Sequence, residues 1–336
     1  MEFRTLGKTQ LRVSAIGFGG IPIQRVSLKE GVEIVHAALA YDINFFDTAR
    51  GYTDSEEKIG LGLKGKRHKA ILATKTMARD ERSMARDIDI SLKKLQTDYI
   101  DLYQCHNVKT EEELAEITGP EGALVALVKA KEAGKIGHIG ITGHIDQTVI
   151  KALQVYDFAT VQFPRNVIED AAEKELFPLA RKKEMGVIIM KPLAGGAFKN
   201  PVLALRYLLG WDYSSIIPGM DSVEQVKNNA ALAVDLKPLT DIDIQRLEDE
   251  AQTIGSKFCR RCEYCKPCPQ GLDIPSFFIL HSYFERYGLG DWSISRYGSI
   301  QPNVVNCIEC GICESRCPYE LPIREMLRQV HKDLGQ

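Results

Sequence analysis

The stretch "GFGGIPIQ", Gly17 to Gln24, closes the first apolar run of the chain and decides between two folds. A doubly wound, dinucleotide-binding sheet would carry G-x-G-x-x-G at this point, so that backbone could approach a pyrophosphate at a helix N-terminus. Here the glycines fall at 17, 19 and 20 only, and the motif is missing. Short apolar segments recur along the chain: "SAIGF" near Ile16, "INFF" near Phe45, "AILAT" near Leu72 and "YIDLYQ" near Asp101. "IGHIGI" near Ile139, "ATVQF" near Val161, "VIIM" near Ile188 and "SIIP" near Ile216 complete the series. Their centres lie roughly 22 to 38 residues apart, room in each interval for one strand, one helix and two loops.

The intervals read as helices. "SLKEGVEIVHAALAYD", "SMARDIDISLKKLQTD", "GPEGALVALVKAKEAGK" and "VEQVKNNAALAV" repeat apolar residues at i, i+3, i+4 spacing. Gly, Asp or Ser punctuation bounds several of them. Eight β–α pairs in succession predict an α/β chain closed into a (β/α)8 TIM barrel rather than an open sheet. The opening "FRTLGKTQLRVS", turning at Gly7-Lys8, predicts a hairpin across the barrel bottom. After "LTDIDIQRLEDEAQTIG", a capped amphipathic helix, the composition changes at about residue 256. The expected domains are therefore a barrel over 1–255 and a small, mainly helical module over 256–336.

Composition excludes several classes of function. The chain has 336 residues, 44% hydrophobic and 26% charged, with a net charge of -2, so no basic field points to nucleic acid or anionic membrane. No apolar run approaches the roughly 18 residues of a spanning helix. The N-terminus lacks the basic start and apolar core of a signal peptide. A soluble, cytoplasmic protein is expected.

Eight of the nine cysteines crowd into two runs, "CRRCEYCKPCP" from Cys259 and "CIECGICESRCP" from Cys307. Two-residue gaps suit thiolates converging on one metal centre better than disulfides. Zinc also accepts paired C-x-x-C units. Two successive four-cysteine runs, each ending in Cys-Pro, are the iron–sulfur pattern. The second run, spaced two, two and three, is the bacterial ferredoxin run, and the first departs by one residue before its last cysteine. "IPSFFILHSYFERYG" and "LPIREMLRQVHKDLG" read as the helices of this module.

Barrel chemistry sits where strands end. Strand ends here deliver Asp47, with Tyr52 five residues on, Lys75, and His106. A tyrosine hydroxyl near its ordinary pKa of about 10 is a poor proton donor at neutral pH, and a neighbouring ammonium favours the phenolate. A carboxylate holds that lysine charged and in place. A histidine on the next strand can hydrogen-bond and orient a substrate oxygen. The set suits carbonyl reduction, with hydride from a cofactor.

On these residues the barrel resembles the aldo-keto reductase family, whose D-x-A-x-x-Y-G-x-x-E stretch is matched here by "DTARGYTDSE", with Thr53 at the position of the glycine. The resemblance extends to "TK" at Thr74-Lys75, to His106 and to the opening "FRTLGKTQLRVSAIGFGG". It implies that Asp47, Tyr52, Lys75 and His106 form a catalytic tetrad with Tyr52 as general acid/base. The substrate would be a small aldehyde or ketone, or the corresponding alcohol, and the cofactor NADP or NAD. By the same resemblance Thr142, Gly143 and Gln162 would grip the nicotinamide carboxamide. Met190, Pro192 and Leu193 would lie under the ring, Met190 offering a thioether where many relatives carry an aromatic. Gly219, Asp221, Gln225 and Asn229 would hold the adenosine end. Relatives using NADPH often place Lys or Arg there; this segment offers none before Lys227, and Asp221 could accept a ribose hydroxyl. Only "AGGAFKNP" follows Leu193, too short for a long belt over the cofactor. Arg50, Asn107 and Arg165 hint at a polar ligand.

The cysteine module resembles a ferredoxin-type domain with two 4Fe-4S clusters, as fused to one branch of that family. Two-cluster ferredoxins cross their fourth cysteine to the other cluster. The resemblance thus implies Cys259, Cys262, Cys265 and Cys317 on one cluster, and Cys307, Cys310, Cys313 and Cys268 on the other. Cys105 would stay unligated. The clusters would be structural or an electron port to a redox partner protein, in an anaerobic or microaerobic prokaryote. A second reading makes the barrel a docking scaffold for electron transfer. No flavin motif bridges hydride and one-electron chemistry.

Overall fold

The computed structural model describes residues 1–335, and Gln336, the last residue of the expected module, lies outside them. A hairpin opens the chain, β1 (Phe3–Thr5) pairing antiparallel with β2 (Arg12–Ser14) around a turn at Gly7, whose φ is +52°. Gly7 also bridges to Met185, at the N-terminal end of a barrel strand, so the hairpin closes the barrel bottom as expected.

All eight apolar runs form strands: β3 (Phe18–Gly19), β4 (Phe45–Asp47), β5 (Ile71–Thr76), β6 (Ile100–Cys105), β7 (Ile136–Thr142), β8 (Thr160–Pro164), β9 (Gly186–Met190) and β10 (Ser215–Ile216). They pair in parallel in chain order. The circle closes where Ile16 and Gly19 bridge Ile216 and Gly219. There the Gly17 amide donates to the Ile216 carbonyl (2.8 Å), and the Gly19 amide to the Pro218 carbonyl (3.0 Å). Leu6, Val13, Phe45, Ala73, Leu102, Ile188 and Ile217 fill the interior. Helices such as Leu28–Ala40, with a Ser27/Glu30 capping box, and Glu81–Lys94 return the chain between strands.

The glycines of the opening stretch serve this closure. A Cβ on Gly19 would stand 2.7 Å from the Pro218 carbonyl oxygen and 2.8 Å from that of Ile217. One on Gly17 would meet the Ser215 hydroxyl and the Phe45 ring within 2.9 Å. The first strand is wedged between the second and the eighth, too close for side chains.

The chain forms two compact units, Met1–Pro192 with Pro201–Leu239, and Leu193–Asn200 with the chain from Thr240 on. The division thus falls before the helix Asp241–Gly255, whereas the sequence places its boundary after it. Every element of the second unit is helical, including Ile274–Tyr287, Gly290–Ser299 and Ile323–Leu334. Its own core holds Leu272, Phe277, Tyr297, Leu327 and Val330, and five of the clustered cysteines pack against it. No helix among the described residues is long and apolar enough to cross a membrane.

Gly19→Ala should cost about 1–3 kcal/mol, the range for overpacking. Urea unfolding of the barrel measures it; an unchanged midpoint would contradict the closure assigned to this strand.

Candidate active site

Parallel strands put all their C-terminal ends on one rim, and period-two alternation aligns the inward side chains in layers. Phe45, Ala73 and Leu102 form an apolar layer of the interior. Two residues further along their strands stand Asp47, Lys75 and Gln104, and two beyond Gln104 is His106. These candidate groups are the polar continuation of the core pattern.

Lys75 Nζ donates to Asp47 Oδ2 at 2.6 Å and to the Thr48 carbonyl at 2.9 Å. The two side chains are only 1% and 4% exposed. Burial pushes the Asp47 carboxyl up and the Lys75 ammonium down, and each partner's charge works against the other's shift. Above them, the Tyr52 ring centroid lies 5.2 Å from Lys75 Nζ and 6.0 Å from the His106 ring, edge-on at 87°. The rim thus brings all four residues together. Burial, then the charges of Lys75 and Arg79, hold His106 well below the usual histidine range, so its imidazole is neutral. Its Nδ1 is buried without a hydrogen-bond partner, leaving Nε2 to serve a ligand.

Sequence reading missed the residues that hold this set. Arg79 Nη2 donates to the carbonyls of His106 (3.0 Å) and Asn107 (3.1 Å) and to Glu113 (2.9 Å), clamping the turn after β6. Glu56, buried, accepts from Thr74 Oγ1 (2.8 Å) and Arg50 Nη1 (2.9 Å) and adds a second negative charge near Lys75. Arg50 is thereby committed to the protein. Arg165 likewise serves Tyr207 and Glu173 and lies over the Tyr207 and Trp211 rings. Asn107 meets His144 Nδ1 at 2.9 Å.

Around the same rim, Thr142 Oγ1 accepts from the Asn107 amide (2.8 Å), and the Gly143 amide donates to the Gln162 carbonyl (3.3 Å). Gln162 is buried and takes the Gln104 amide at 2.9 Å. Met190 ends β9, partly exposed, and Pro192 is buried just beyond it. Leu193 belongs to the second unit, where its carbonyl receives the amides of Gly196 and Ala197. In the loop after β10, Gly219 is exposed, Asn229 is buried, and Gln225 Oε1 accepts from the Asp221 amide (2.8 Å). Although that loop carries no cation of its own, the loop after β3 brings one: Arg25 Nη2 meets Asp221 Oδ2 at 2.5 Å.

The polar set fits a nicotinamide cofactor and a carbonyl. Lys75, Gln104 and Gln162 all act on the Asp47 carboxyl, whereas Gln104 Oε1 and His106 Nδ1 are buried without protein partners, so His106 is not tied down by the chain and its Nε2 can turn to a ligand.

In the second unit both cysteine runs share one backbone form. Arg261 (φ +60°) and Glu263 (+64°) follow Cys259 at the second and fourth positions; Glu309 (+54°) and Gly311 (+75°) follow Cys307 likewise. Non-glycine residues adopt this left-handed form at a cost of order 1 kcal/mol each. Here it curls each run into a cradle, and the Arg261 and Tyr264 amides donate to the Cys259 and Cys262 sulfurs. The thiols of Cys259 and Cys262 act on each other and on Cys317; burial first, and then these neighbours, push Cys259 up to about 11. Cys265 rises to about 12 by burial, then by Cys259 and Cys262, with Cys313 also near. Cys268, Cys307, Cys310 and Cys313 line one small cavity. Two groups of thiols gathered in this way are a donor set suited to a metal cluster. Cys105 is buried in the barrel, its thiol pushed up to about 12 by burial.

Comparison with known proteins gives the family of the barrel and of the cysteine-rich module. Residues 15–202 match the family model described as "Aldo/keto reductase family", and residues 258–322 the "4Fe-4S dicluster domain". L-galactose dehydrogenase of Arabidopsis thaliana is 31% identical over 299 residues, covering 71% of this chain and 90% of that protein. The solved aldo-keto reductase AKR11C1 of Bacillus halodurans, in its holo form, superposes with a TM-score of 0.66 at 26% identity, over 74% of this chain and 96% of that one. An aldo/keto reductase of Klebsiella pneumoniae, solved with NADP and acetate, shares the fold at 24% identity and a TM-score of 0.63, over 74% and 95% of the two chains. The barrel, its rim and these matches together place the chain in the aldo-keto reductase family, as a member that also carries a C-terminal 4Fe-4S dicluster domain.

Proposed function

We propose that the barrel transfers hydride between NADP(H) and a small aldehyde or ketone, with Tyr52 as general acid for reduction and general base for alcohol oxidation. The observation that carries this reading is the buried Asp47–Lys75 pair beneath the Tyr52 ring, with a neutral His106 beside it. The bound nicotinamide would supply the hydride. The substrate oxygen would sit between the Tyr52 hydroxyl and His106 Nε2. As negative charge grows on that oxygen, the Tyr52 proton moves to it, and the ammonium of Lys75 stabilises the phenolate left behind. Asp47 keeps Lys75 charged and aimed. His106, being neutral, donates a hydrogen bond without competing as an acid.

Thr142, Gly143 and Gln162 would hold the carboxamide, with Met190, Pro192 and Leu193 at the ring. Gly219, Asp221, Gln225 and Asn229 would take the adenosine end. There the Arg25–Asp221 contact supports use of NADP(H): Arg25 is the cation that a 2′-phosphate would recruit. The shared backbone cradle supports two 4Fe-4S clusters, Cys259, Cys262, Cys265 and Cys317 on one, Cys268, Cys307, Cys310 and Cys313 on the other.

Tyr52→Phe should lower carbonyl turnover roughly 10²- to 10⁴-fold, the share of a general acid, while NADPH binding is kept. Lys75→Met should do the same and also destabilise the fold, because it strands a buried carboxylate. Adding Asp47→Asn should restore stability and not turnover. Near-normal turnover in either single variant contradicts the tetrad.

Arg25→Ala should weaken NADPH about tenfold, or 1.4 kcal/mol, and leave the dissociation constant of NADH little changed. Equal losses for both cofactors would remove Arg25 from the phosphate site.

Iron analysis after anaerobic purification should give about eight irons per chain, from two four-iron clusters. About four irons would leave one run empty, and zinc in their place would overturn the cluster assignment.

A further inference from the structure

One buried lysine takes no part in the reaction proposed above. Lys58 lies on the helix Ser55–Gly62, and its side chain is 1% exposed. Burying a lysine is costly unless all three of its donors are met. Here they are: Nζ donates to the carbonyls of Ile23 and Val26, both at 2.7 Å, and to Asp54 Oδ1 at 3.0 Å. The fold keeps room for the stem, since a Cβ on Gly31 would stand 2.8 Å from Lys58 Cδ.

The two carbonyls bracket Gln24 and Arg25 in the loop after β3, whose middle is the 3-10 turn Pro22–Arg25. The same loop is tied at two further points. Ser55 Oγ donates to the Gly20 carbonyl at 2.8 Å, and Thr53 Oγ1 to Gln24 Oε1 at 3.1 Å. Thr53 and Asp54 directly follow Tyr52, and the Ser55 amide donates to the Tyr52 carbonyl at 2.8 Å. One lysine head therefore fastens the loop that carries Arg25 to the turn that carries Tyr52. From that loop Arg25 reaches Asp221. Ordering a long arginine side chain costs rotamer freedom, so it discriminates between ligands best when the backbone beneath it is already fixed.

We propose that Lys58 is a positioning residue for cofactor selectivity: it fixes the backbone of residues 23–26 and thereby aims Arg25 at the 2′-phosphate of NADP(H). The proposal rests on the phosphate reading of Arg25 given above. Lys58, with all three donors engaged, acts through Arg25 and not by contact with the cofactor.

Dissociation constants of NADPH and NADH, from fluorescence titration of the anaerobically purified, iron-loaded full chain, test it in a cycle with Arg25→Ala. Lys58→Met should weaken NADPH about tenfold and NADH less than about threefold. Lys58→Gln, which keeps part of the donor set, should shift the preference in the same direction, and it serves in place of Lys58→Met if that variant does not fold. In the Arg25→Ala background either substitution should leave the remaining ratio of the two constants unchanged. A lysine that only stabilised the fold would lower both affinities alike in either background. That outcome, or losses that add fully to those of Arg25→Ala, overturns the proposal. If Arg25→Ala lowers the preference for NADPH and neither Lys58 variant does, the phosphate reading stands and this proposal falls. If Arg25→Ala leaves the preference intact, both fall.

Discussion

The barrel mouth depends on one ion pair. Lys75 and Asp47 are almost wholly withdrawn from water, and removing one partner of such a pair typically costs about 3–5 kcal/mol because the other charge is left buried. The pair therefore constrains everything near it. β4 and β5 must keep their register, Asp47 opposite Ala73, for the lysine to reach back to the carboxylate. The turn that carries Tyr52 packs over the ammonium, and Glu56 braces the site with a second charge reached through Thr74 and Arg50. A structural ion pair could be placed anywhere in a barrel; one placed under a tyrosine at the C-terminal rim is what the proposed proton transfer would use.

The second unit rests on a different constraint. Its runs of cysteines bend through left-handed residues at matching positions, and burial, with neighbouring thiols after it, pushes the Cys259 and Cys265 thiols up. Neither feature favours folding without a cation to bind the sulfurs as thiolates. The hydrophobic core of Phe277, Leu327 and their neighbours gives this unit a scaffold, and the metal would complete it. Its chemistry also differs in kind. A hydride carries two electrons, whereas a 4Fe-4S cluster passes one, so the proposed barrel reaction would need no cluster to balance.

Much of this was legible in the chain because it follows from local pattern. Apolar runs at regular intervals became the eight strands, and the inward alternation that places Phe45 in the core places Asp47 at the rim. The glycines at 17, 19 and 20 were informative by their spacing, which excluded a dinucleotide fingerprint, and their steric purpose became visible only with β10 beside them. What stayed hidden joins residues distant in sequence. Arg25 and Asp221 meet because the closed barrel brings its first and last loops together. Arg79 sits after β5 yet clamps the turn after β6, and nothing in its neighbourhood marks it. The helix Gly290–Ser299 has two glycines and three serines, weak helix formers, and owes its form to packing of Tyr297 and Ser293. The segment Leu193–Asn200 reads as a barrel loop but belongs to the second compact unit.

The central claim is that the reaction at Tyr52 is hydride transfer and not electron relay through the cysteine module. Single turnover of the anaerobically purified chain with NADPH dideuterated at the nicotinamide C4 and an accepted aldehyde tests it most directly. The account predicts one deuterium on the carbinol carbon of the product and a rate slower than with unlabelled NADPH. Alcohol formed without deuterium, or a lack of aldehyde reduction while the clusters still pass electrons to an acceptor dye, would contradict it and leave the barrel a scaffold.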